Sequence, residues 1–313
     1  MPHPPSGWAL WFTGGGRRLD VGTELSRRNP EPRATNSPWL FLFSDSRSAE
    51  ANVDAGQEPN GVWSTLVRRQ TPQVEAFACR EYLEGSAILR LPDDRVPSLE
   101  ELESVITPRT GWLLRRTPIR YSDALPWYRH FGRKTFLVTD YMRSWHELDF
   151  TPEPDMFHDI FGHLPFLVLP RYAALLDLFA QPFLRTDDEH RQHIKRLAWF
   201  TTEFGLLREA GRLKVFGAGL LSSVGEMRHV MDGRTPILPF SIHNVLTRTK
   251  AIYTFNETLF AFDSLAALTS ELRAYFDSVP TAARPEVPAG AGGETALEDW
   301  ELADLAGGPP AVR

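Results

Sequence analysis

The 313-residue chain contains one cysteine, Cys79, only four lysines, and no apolar run near the ~20 residues that a membrane-spanning helix needs. A single cysteine excludes an internal disulfide and a cysteine-based zinc knuckle, which is typical of proteins of the reducing cytoplasm. The first apolar stretch, Trp8–Phe12, is too short for the core of a signal peptide. These shortages predict a cytoplasmic protein without a membrane segment.

The chain also has no excess of positive charge. It carries 34 Lys and Arg against 40 Asp and Glu, a formal net charge of -6, so no extended basic surface for nucleic acid or anionic lipid is expected. With 42% hydrophobic residues, there is enough apolar material for a large core.

Composition divides the chain into three parts. Residues 1–62 are rich in Gly, Pro, Asn and Ser and predict a partly irregular N-terminal extension, with one aromatic cluster at Trp39–Phe43 that reads as a short strand or a latch. Residues 63–280 carry regular apolar periodicity and predict the main domain. Residues 281–313 predict a flexible acidic tail, with one possible short helix around Trp300.

Within the main domain the apolar spacing predicts mostly helices with few strands. Ser98 and Glu101 form a capping-box pattern that begins a helix through Val105, and Thr135–Thr139 predicts a strand. The remaining helical segments share a spacing of three to four between apolar residues and are expected at Trp63 to Tyr82, from Phe157, at Tyr172–Phe183 and at His193–Glu209.

A candidate metal site lies in the segment from Thr151 to Pro165. His158 and His163 are five residues apart, which on an ideal α-helix leaves the two side chains ~140° apart. Both histidines can therefore reach one metal only if His158 sits near the helix start. The metalloprotease pattern His-Glu-x-x-His has a spacing of four and a glutamate base, so it does not match.

Glu203 is the best candidate for a third ligand, because it is a lone carboxylate amid aromatic and apolar residues on a predicted helix. Two imidazoles and one carboxylate form the facial triad of non-haem iron(II) oxygenases. The spacing alone leaves an alternative open at even odds: buried structural histidines, with Glu203 paired to an arginine such as Arg208.

Three motifs in this order resemble the signature of the tetrahydropterin-dependent aromatic amino acid hydroxylases. They are Pro152-Glu-Pro-Asp155 followed by His158-Asp and Gly162-His163-x-Pro165, then Trp199-Phe-Thr-Thr-Glu203-Phe-Gly205, then Gly217-Ala-Gly-Leu-Leu-Ser-Ser223. The resemblance runs from about Trp63 to Val279 and is greatest to the single-domain bacterial phenylalanine 4-monooxygenases. It implies a mainly α catalytic-domain fold with a few short strands.

The resemblance also implies roles for individual residues. His158, His163 and Glu203 would hold Fe(II), and Arg143 would bind the substrate carboxylate, although a surface salt bridge of Arg143 with Asp140 or Glu147 is the alternative. The other implied substrate-site residues are Thr151, Asp155, Trp199, Phe204 and Ser223, with Thr151 and Asp155 orienting Arg143. Ser222 would orient a ligand histidine, and Glu226 would belong to the same network.

On the pterin side the chain departs from the family pattern. Trp127 stands where an aromatic residue that stacks on the pterin is expected, and Asp159 would offer a nearby carboxylate. The intervening segment, Thr117–Asp123, has no glycine and about one extra residue, so Tyr121 is expected to reshape the pterin site. Ala198 replaces a tyrosine expected next to the iron.

The main hypothesis is therefore an iron(II) enzyme that hydroxylates phenylalanine to tyrosine with O₂ and a tetrahydropterin. One alternative is a relative specialised for another aromatic substrate or ring position. Another is a metal- or ligand-binding protein that has lost its oxygenase activity. The expected partners are a small aromatic amino acid and O₂. Because the chain has no heptad repeats, it is expected to be a monomer or a weak dimer.

Overall fold

The computed structural model describes residues 59–119, 124–151, 153–250 and 254–282. Over these residues the α-helices, in chain order, are α1 (Pro59–Phe77), α2 (Arg80–Leu89), α3 (Leu99–Thr110), α4 (Ala124–Phe131), α5 (Leu164–Leu167), α6 (Pro170–Arg185), α7 (Asp188–Ala198), α8 (Ala218–Leu221), α9 (Val224–Met231), α10 (Ile242–Leu246) and α11 (Leu265–Ser278). The strands are β1 (Leu113–Thr117), β2 (Thr135–Thr139), β3 (Leu206–Glu209), β4 (Arg212–Val215), β5 (Ile237–Pro239) and β6 (Leu259–Phe262).

Three shorter helical segments complete the path. A 3₁₀ turn covers Trp145–Glu147, and two segments are π-helical: the first π-turn (His158–His163) and the second π-turn (Trp199–Glu203). The predicted mainly α fold with few strands is confirmed.

The predicted start of α3 is confirmed in detail. The Ser98 side chain accepts from the Glu101 amide while the Glu101 side chain accepts from the Ser98 amide, which satisfies two backbone donors that the helix itself leaves free. The helix runs five residues beyond the predicted Val105 and ends at Gly111, whose φ of 75° is the left-handed conformation that glycine adopts without strain.

The periodic segment from Trp63 to Tyr82 is helical, as predicted, but it forms two helices. The chain leaves helical geometry at Ala78 and Cys79, where Ala78 bridges to Val215 and the Cys79 amide donates to the Val215 carbonyl over 2.9 Å. The contact with β4 therefore lies at the break between α1 and α2, in a segment where the apolar spacing predicts uninterrupted helix.

The strands form two small sheets. β1 and β2 pair in parallel, with Leu113 opposite Thr135, and all five residues of β2 are buried as the predicted strand requires. The second sheet has the order β4-β3-β6-β5, in which β3 and β4 form a hairpin and the other two pairs are parallel. Ala210 and Gly211 both have positive φ in the two-residue hairpin turn.

The helix predicted over His193–Glu209 is wrong at its C-terminal end. α7 passes into the second π-turn, which ends at Glu203, and residues from Leu206 onward form β3. Leu206 is buried between Val215 of β4 and Ala261 of β6, so sheet pairing with distant segments overrides the local apolar spacing.

Residues just outside the predicted boundaries at 62 and 280 also make packing contacts. α1 begins at Pro59 and already buries Val62, and the Ala282 amide donates to the Arg185 carbonyl. The clusters predicted at Trp39–Phe43 and around Trp300 lie outside the described residues. No single described helix has the length and apolar character to cross a membrane. Segments 158–167 and 170–185 have that length and apolar character only when taken together, and they are bent by 111° relative to each other.

Candidate active site

The two π-turns bring the three candidate metal ligands together. A π-helical turn closes its hydrogen bonds from i to i+5, so residues five apart, as His158 and His163 are, lie above one another on the same face. The predicted angle of ~140° between the two side chains assumes α-helical geometry. The wider π-helical turn brings the two side chains to the same face instead. Glu203 ends the second π-turn and faces the two histidines.

The ligand atoms form a triangle of the size that one metal ion needs. His158 Nε2 lies 3.1 Å from His163 Nε2, and the Glu203 Oε2 lies 3.5 Å from His158 Nε2 and 3.3 Å from His163 Nε2. Such a triangle has its corners about 1.9 Å from its centre, so all three atoms could bind one ion at the ~2.1 Å that is usual for these donors. The donor set of two imidazoles and one carboxylate suits iron(II). The alternative partner of Glu203, Arg208, is exposed on β3.

Ser222 sets the orientation of His158. The Ser222 Oγ donates its one proton to the Ala218 carbonyl over 2.8 Å, so its 2.9 Å contact with His158 Nδ1 is one in which the imidazole donates. With Nδ1 protonated, Nε2 carries the lone pair, and Nε2 is the atom that faces the other ligands. This contact to Ser222 is the kind that fixes a metal-binding tautomer.

Burial and mutual contact shift the pKa values of the three side chains in the cluster. Burial and the neighbouring His163 lower the pKa of His158 to about 4, so its imidazole is neutral at pH 7. Burial would raise the pKa of Glu203, but the His163 imidazole outweighs it and lowers that pKa, so the carboxylate is charged. Burial would lower the pKa of His163, but the negative charge and hydrogen bond of Glu203 outweigh burial, so the pKa of His163 is raised.

Arg143 and Asp155 form a fully buried ion pair beside the ligands. The Asp155 Oδ2 accepts from Arg143 Nε over 2.9 Å and Oδ1 accepts from Nη2 over 2.7 Å, a bidentate geometry. Burial raises the pKa of Asp155, but the guanidinium outweighs it and holds that pKa below its usual value. Neither Asp140 nor Glu147, the alternative partners, pairs with Arg143, so that surface reading is wrong.

The same pair is hydrogen-bonded to Ser222 and to His158, one of the candidate metal ligands. Arg143 Nη1 donates to the Ser222 carbonyl over 3.2 Å, and the His158 amide donates to Asp155 Oδ1 over 3.0 Å. Three of the five guanidinium protons are used in these contacts. One proton is left on Nη1 and one on Nη2, and a planar guanidinium can offer such protons to a carboxylate.

Thr151 and Ser223 lie in different segments, Thr151 between the 3₁₀ turn and the first π-turn and Ser223 at the start of α9. The Thr151 hydroxyl donates to the Glu153 carbonyl over 3.1 Å and not to Arg143, so of the two predicted orienting residues only Asp155 contacts the arginine. Ser223 caps α9, accepting from the Glu226 amide over 3.3 Å and donating to the Asp149 carbonyl.

Two aromatic rings form a wall near Glu203. Trp199 and Phe204, at the two ends of the second π-turn, lie 4.6 Å apart between ring centroids, and both are half-buried. The Phe204 ring packs directly on Gly219, where a Cβ would lie 2.6 Å from the Phe204 Cζ. Partial exposure of both rings fits a wall that a ligand can contact.

Sequence reasoning missed Asn256. Its side-chain oxygen accepts from the Trp199 Nε1 over 2.9 Å, while its backbone and side-chain N–H groups both donate to Glu226 Oε1, over 3.2 and 3.1 Å. Burial raises the pKa of Glu226 to about 7, and the bonds from Asn256 only partly oppose that rise. The sequence offers one usable signal, Asn256 itself, a polar residue three positions before the apolar strand β6.

The predicted pterin residues lie on another side of the cluster. Trp127 is half-buried and packs 5.6 Å from Phe136, whose ring lies 5.2 Å from that of His163, so an aromatic row connects Trp127 to the metal ligands. Asp159 is buried, and its Oδ2 accepts from the amide and hydroxyl of Thr139. Burial raises the pKa of Asp159 to about 7. Tyr121 lies outside the described residues.

Comparison with known proteins agrees with this geometry. The profile of the biopterin-dependent aromatic amino acid hydroxylases matches residues 46–284. The phenylalanine-4-hydroxylase of Vibrio cholerae is 34% identical over 229 residues, covering 73% of this chain and 79% of its own, and that of Mesorhizobium japonicum is 36% identical over 223 residues, covering 69% and 79%.

Solved structures give the same result. The apo structure of the cold-active phenylalanine hydroxylase of Colwellia psychrerythraea 34H is similar with a TM-score of 0.65 and 32% identity, over 75% of this chain and 94% of the other. A Chromobacterium violaceum phenylalanine hydroxylase with bound iron(III) and 7,8-dihydrobiopterin has a TM-score of 0.66 and 31% identity, over 73% and 86%. The chain therefore belongs to the family of biopterin-dependent aromatic amino acid hydroxylases.

Proposed function

We propose that this chain hydroxylates phenylalanine to tyrosine with O₂ and a tetrahydropterin, and that His158, His163 and Glu203 hold the iron(II). The named relatives, which are phenylalanine hydroxylases, support the substrate. The size of the ligand triangle and the neutral, oriented imidazole of His158 support the metal. Iron and the reduced pterin, when bound, supply the activation of O₂ that no protein side chain can provide.

One observation carries the assignment of an amino acid substrate. Ser222 contacts both halves of the site: its carbonyl accepts from Arg143 and its hydroxyl accepts from His158. An amino acid whose carboxylate binds the remaining Nη1 and Nη2 protons of Arg143 would therefore have its side chain beside the ligand cluster. Trp199 and Phe204 would contact the aromatic ring of that substrate and exclude water from it.

The pterin would bind on the side of Trp127 and Asp159. The indole offers a half-exposed face for stacking, and the Asp159 carboxyl, with Oδ2 occupied by Thr139, has Oδ1 left to accept from or donate to a pterin nitrogen. Tyr121 stays a prediction. So do the three-part division at residues 62 and 280, the monomeric or weakly dimeric state, and the cytoplasmic location.

The test is a single-turnover and steady-state assay of the full chain. The protein is loaded anaerobically with iron(II), mixed with ¹⁸O₂ and tetrahydrobiopterin, and offered phenylalanine, tyrosine or tryptophan, with products read by mass spectrometry. We expect tyrosine labelled with one ¹⁸O as the main product. A dominant hydroxylated product from another amino acid would favour the specialised alternative, and the absence of any hydroxylation by iron-loaded protein would overturn the proposal.

Matched variants separate substrate binding from general damage. Arg143→Lys removes the planar fork while keeping the charge, and we expect the KM for phenylalanine to rise at least tenfold or so. Arg116→Lys changes a half-exposed arginine of β1 that pairs with Asp140, and we expect its KM to match that of the wild type. Equal effects of the two substitutions would argue against Arg143 as the carboxylate-binding residue.

A further inference from the structure

A chain of hydrogen bonds runs from the interior to the Trp199 ring. Glu226 Oε1, on α9, accepts two hydrogen bonds from Asn256, and Asn256 Oδ1 accepts one from the indole N–H of Trp199. Glu226 is 2% exposed and Asn256 is 4% exposed, whereas Trp199 is half-buried. The inner end of the chain is thus fixed by packing, and its outer end is a side chain of the proposed substrate wall.

The geometry leaves Asn256 little freedom. Its backbone amide and its side-chain amide bind the same carboxylate oxygen, so the side chain is held at two points. Its only side-chain acceptor then points at the indole proton, the single polar group that a tryptophan has. Rotating the indole about its χ angles would break this bond and leave a buried amide oxygen without a partner.

The contacts of Phe204 and Lys250 with the Trp199 ring do not provide an equivalent constraint. Phe204 packs against the ring at 39° between planes, and the Lys250 Nζ lies 5.6 Å from the ring centroid. Apolar and cation–π contacts are tolerant of sliding and rotation, whereas a hydrogen bond of 2.9 Å is directional. The Asn256 bond is therefore the contact that defines the angle of the indole plane.

We propose that Asn256 is a positioning residue for the aromatic pocket, because it transfers the fixed position of Glu226 to the Trp199 ring and so sets where the substrate ring lies relative to the metal ligands. The inference rests on the proposed function. It adds a residue, and a path through α9, that the sequence motifs do not include.

A misplaced substrate ring has a recognisable consequence in a two-substrate oxygenase. Each oxidised pterin normally corresponds to one hydroxylated amino acid, and a ring held at the wrong distance is oxidised less often per pterin consumed. The coupling ratio, tyrosine formed per pterin oxidised, therefore reports ring position. A variant that is merely less stable loses active protein but keeps the ratio, since every remaining folded molecule couples normally.

The primary variant is Asn256→Leu, which keeps similar volume and removes both ends of the bridge. We expect bound iron to stay at the wild-type stoichiometry, kcat/KM for phenylalanine to fall about 10- to 100-fold, and the coupling ratio to fall at least about twofold. The matched control is Asn244→Leu on α10, where the amide donates to the Pro239 carbonyl outside the site. This control should keep the wild-type ratio.

Further variants keep the test decisive if Asn256→Leu folds poorly. Trp199→Phe removes the indole proton, and a double-mutant cycle with Asn256→Leu should show strong non-additivity in the coupling ratio, because both changes break the same bond. Glu226→Gln keeps the acceptor oxygen and should recover most of the coupling that Glu226→Leu loses.

The outcomes are distinguishable from failure of the proposed function. If the wild type hydroxylates no amino acid, the proposed function is wrong, and the positioning role that rests on it is overturned with it. If the wild type is active while Asn256→Leu keeps the wild-type coupling ratio, or if Asn244→Leu lowers it equally, the positioning role is wrong. Additive effects of Trp199→Phe and Asn256→Leu would also overturn it.

Discussion

The buried charge of Arg143 is balanced by the carboxylate of Asp155. Its side chain is 1% exposed and that of Asp155 is 0% exposed, so neither charge is stabilised by water. Removing one member of such a pair leaves the other charge buried and uncompensated, which costs far more than the net contribution of the pair. If Arg143 binds the substrate carboxylate as proposed, stability and substrate binding depend on the same buried pair.

We expect Asp155→Asn to lower the free energy of unfolding by about 3–5 kcal/mol, because it removes the charge that balances Arg143. Asp140→Asn is the matched control, since Asp140 pairs with Arg116 at 44% and 48% exposure and its loss should cost at most about 1 kcal/mol. Urea unfolding of both variants measures the difference. Similar midpoints would mean that the buried pair contributes no more than an exposed one.

Ser222 offers a second prediction for a single residue. Ser222→Ala removes the acceptor for His158 Nδ1–H, so the imidazole loses its fixed tautomer, and metal affinity should fall about 10- to 100-fold without loss of fold. Ser104→Ala, which removes a serine that donates to the Glu101 carbonyl on α3, is the control and should bind metal normally. Titration with cobalt(II) under identical buffer conditions gives both affinities.

At the scale of elements, the site depends on how closely segments approach one another. The chain at Gly217 passes against the end of the second π-turn, so that a Cβ there would lie 2.2 Å from the Glu203 carbonyl oxygen. Gly217 itself has φ -70° and ψ 137°, which any residue can adopt. This glycine is therefore required for space and not for backbone conformation, and it allows α8 to pack beside the turn that carries Glu203, a candidate metal ligand.

Gly217→Ala should displace Glu203 and lower both metal binding and stability, by about 1–3 kcal/mol or more, since the obstacle is backbone that cannot rotate away. At Gly132 the nearest atom to an added Cβ is 3.4 Å away, so Gly132→Ala should stay within about 0.5 kcal/mol of the wild type. Calorimetric unfolding together with bound iron per chain provides the comparison. Normal iron content in Gly217→Ala would contradict the steric argument.

At the scale of the whole molecule, Glu226 makes stability depend on pH near neutrality. Its pKa is raised from 4.5 to about 7 by burial, so the folded state holds a proton that the unfolded state has lost between these two values. Stability from this group is complete below pH 4.5 and is lost as pH rises through about 7. The full difference is about 3 kcal/mol at 1.36 kcal/mol for each pKa unit.

Glu226→Gln should remove this dependence, because the amide keeps an acceptor for Asn256 and does not ionise. The measurement is the unfolding free energy of both proteins from pH 5 to 8.5, where the difference between them isolates the single group. We expect the variant to gain on the wild type as pH rises, by up to about 3 kcal/mol above pH 7. Parallel curves would show that Glu226 ionises in the folded protein as it does in water.

Most of the local architecture follows from sequence alone. The Ser98–Glu101 capping box, the strand at Thr135–Thr139 and the mainly helical class depend on contacts within a few residues, and each agrees with the structure. The family also follows from the sequence, because each of its three motifs is an unbroken stretch of the chain that can be read without coordinates. His158, His163 and Glu203 are readable as a donor set from residue type without any coordinates.

Only the tertiary structure decides how these residues meet. The α-helical spacing argument separates His158 from His163, and the π-helical turn that aligns them is held in place by packing of α8 against Gly162, where an added Cβ would lie 2.8 Å from the Ala218 oxygen. β3 replaces a predicted helix because its partners come from β4 and β6. Asn256 joins the site across 57 residues of sequence through one bond to Trp199. The sequence by itself determines which chemical groups are present and their local conformation. The distances between these groups are set by contacts between distant segments. Such contacts leave no periodic pattern in the chain, so only the tertiary structure shows them.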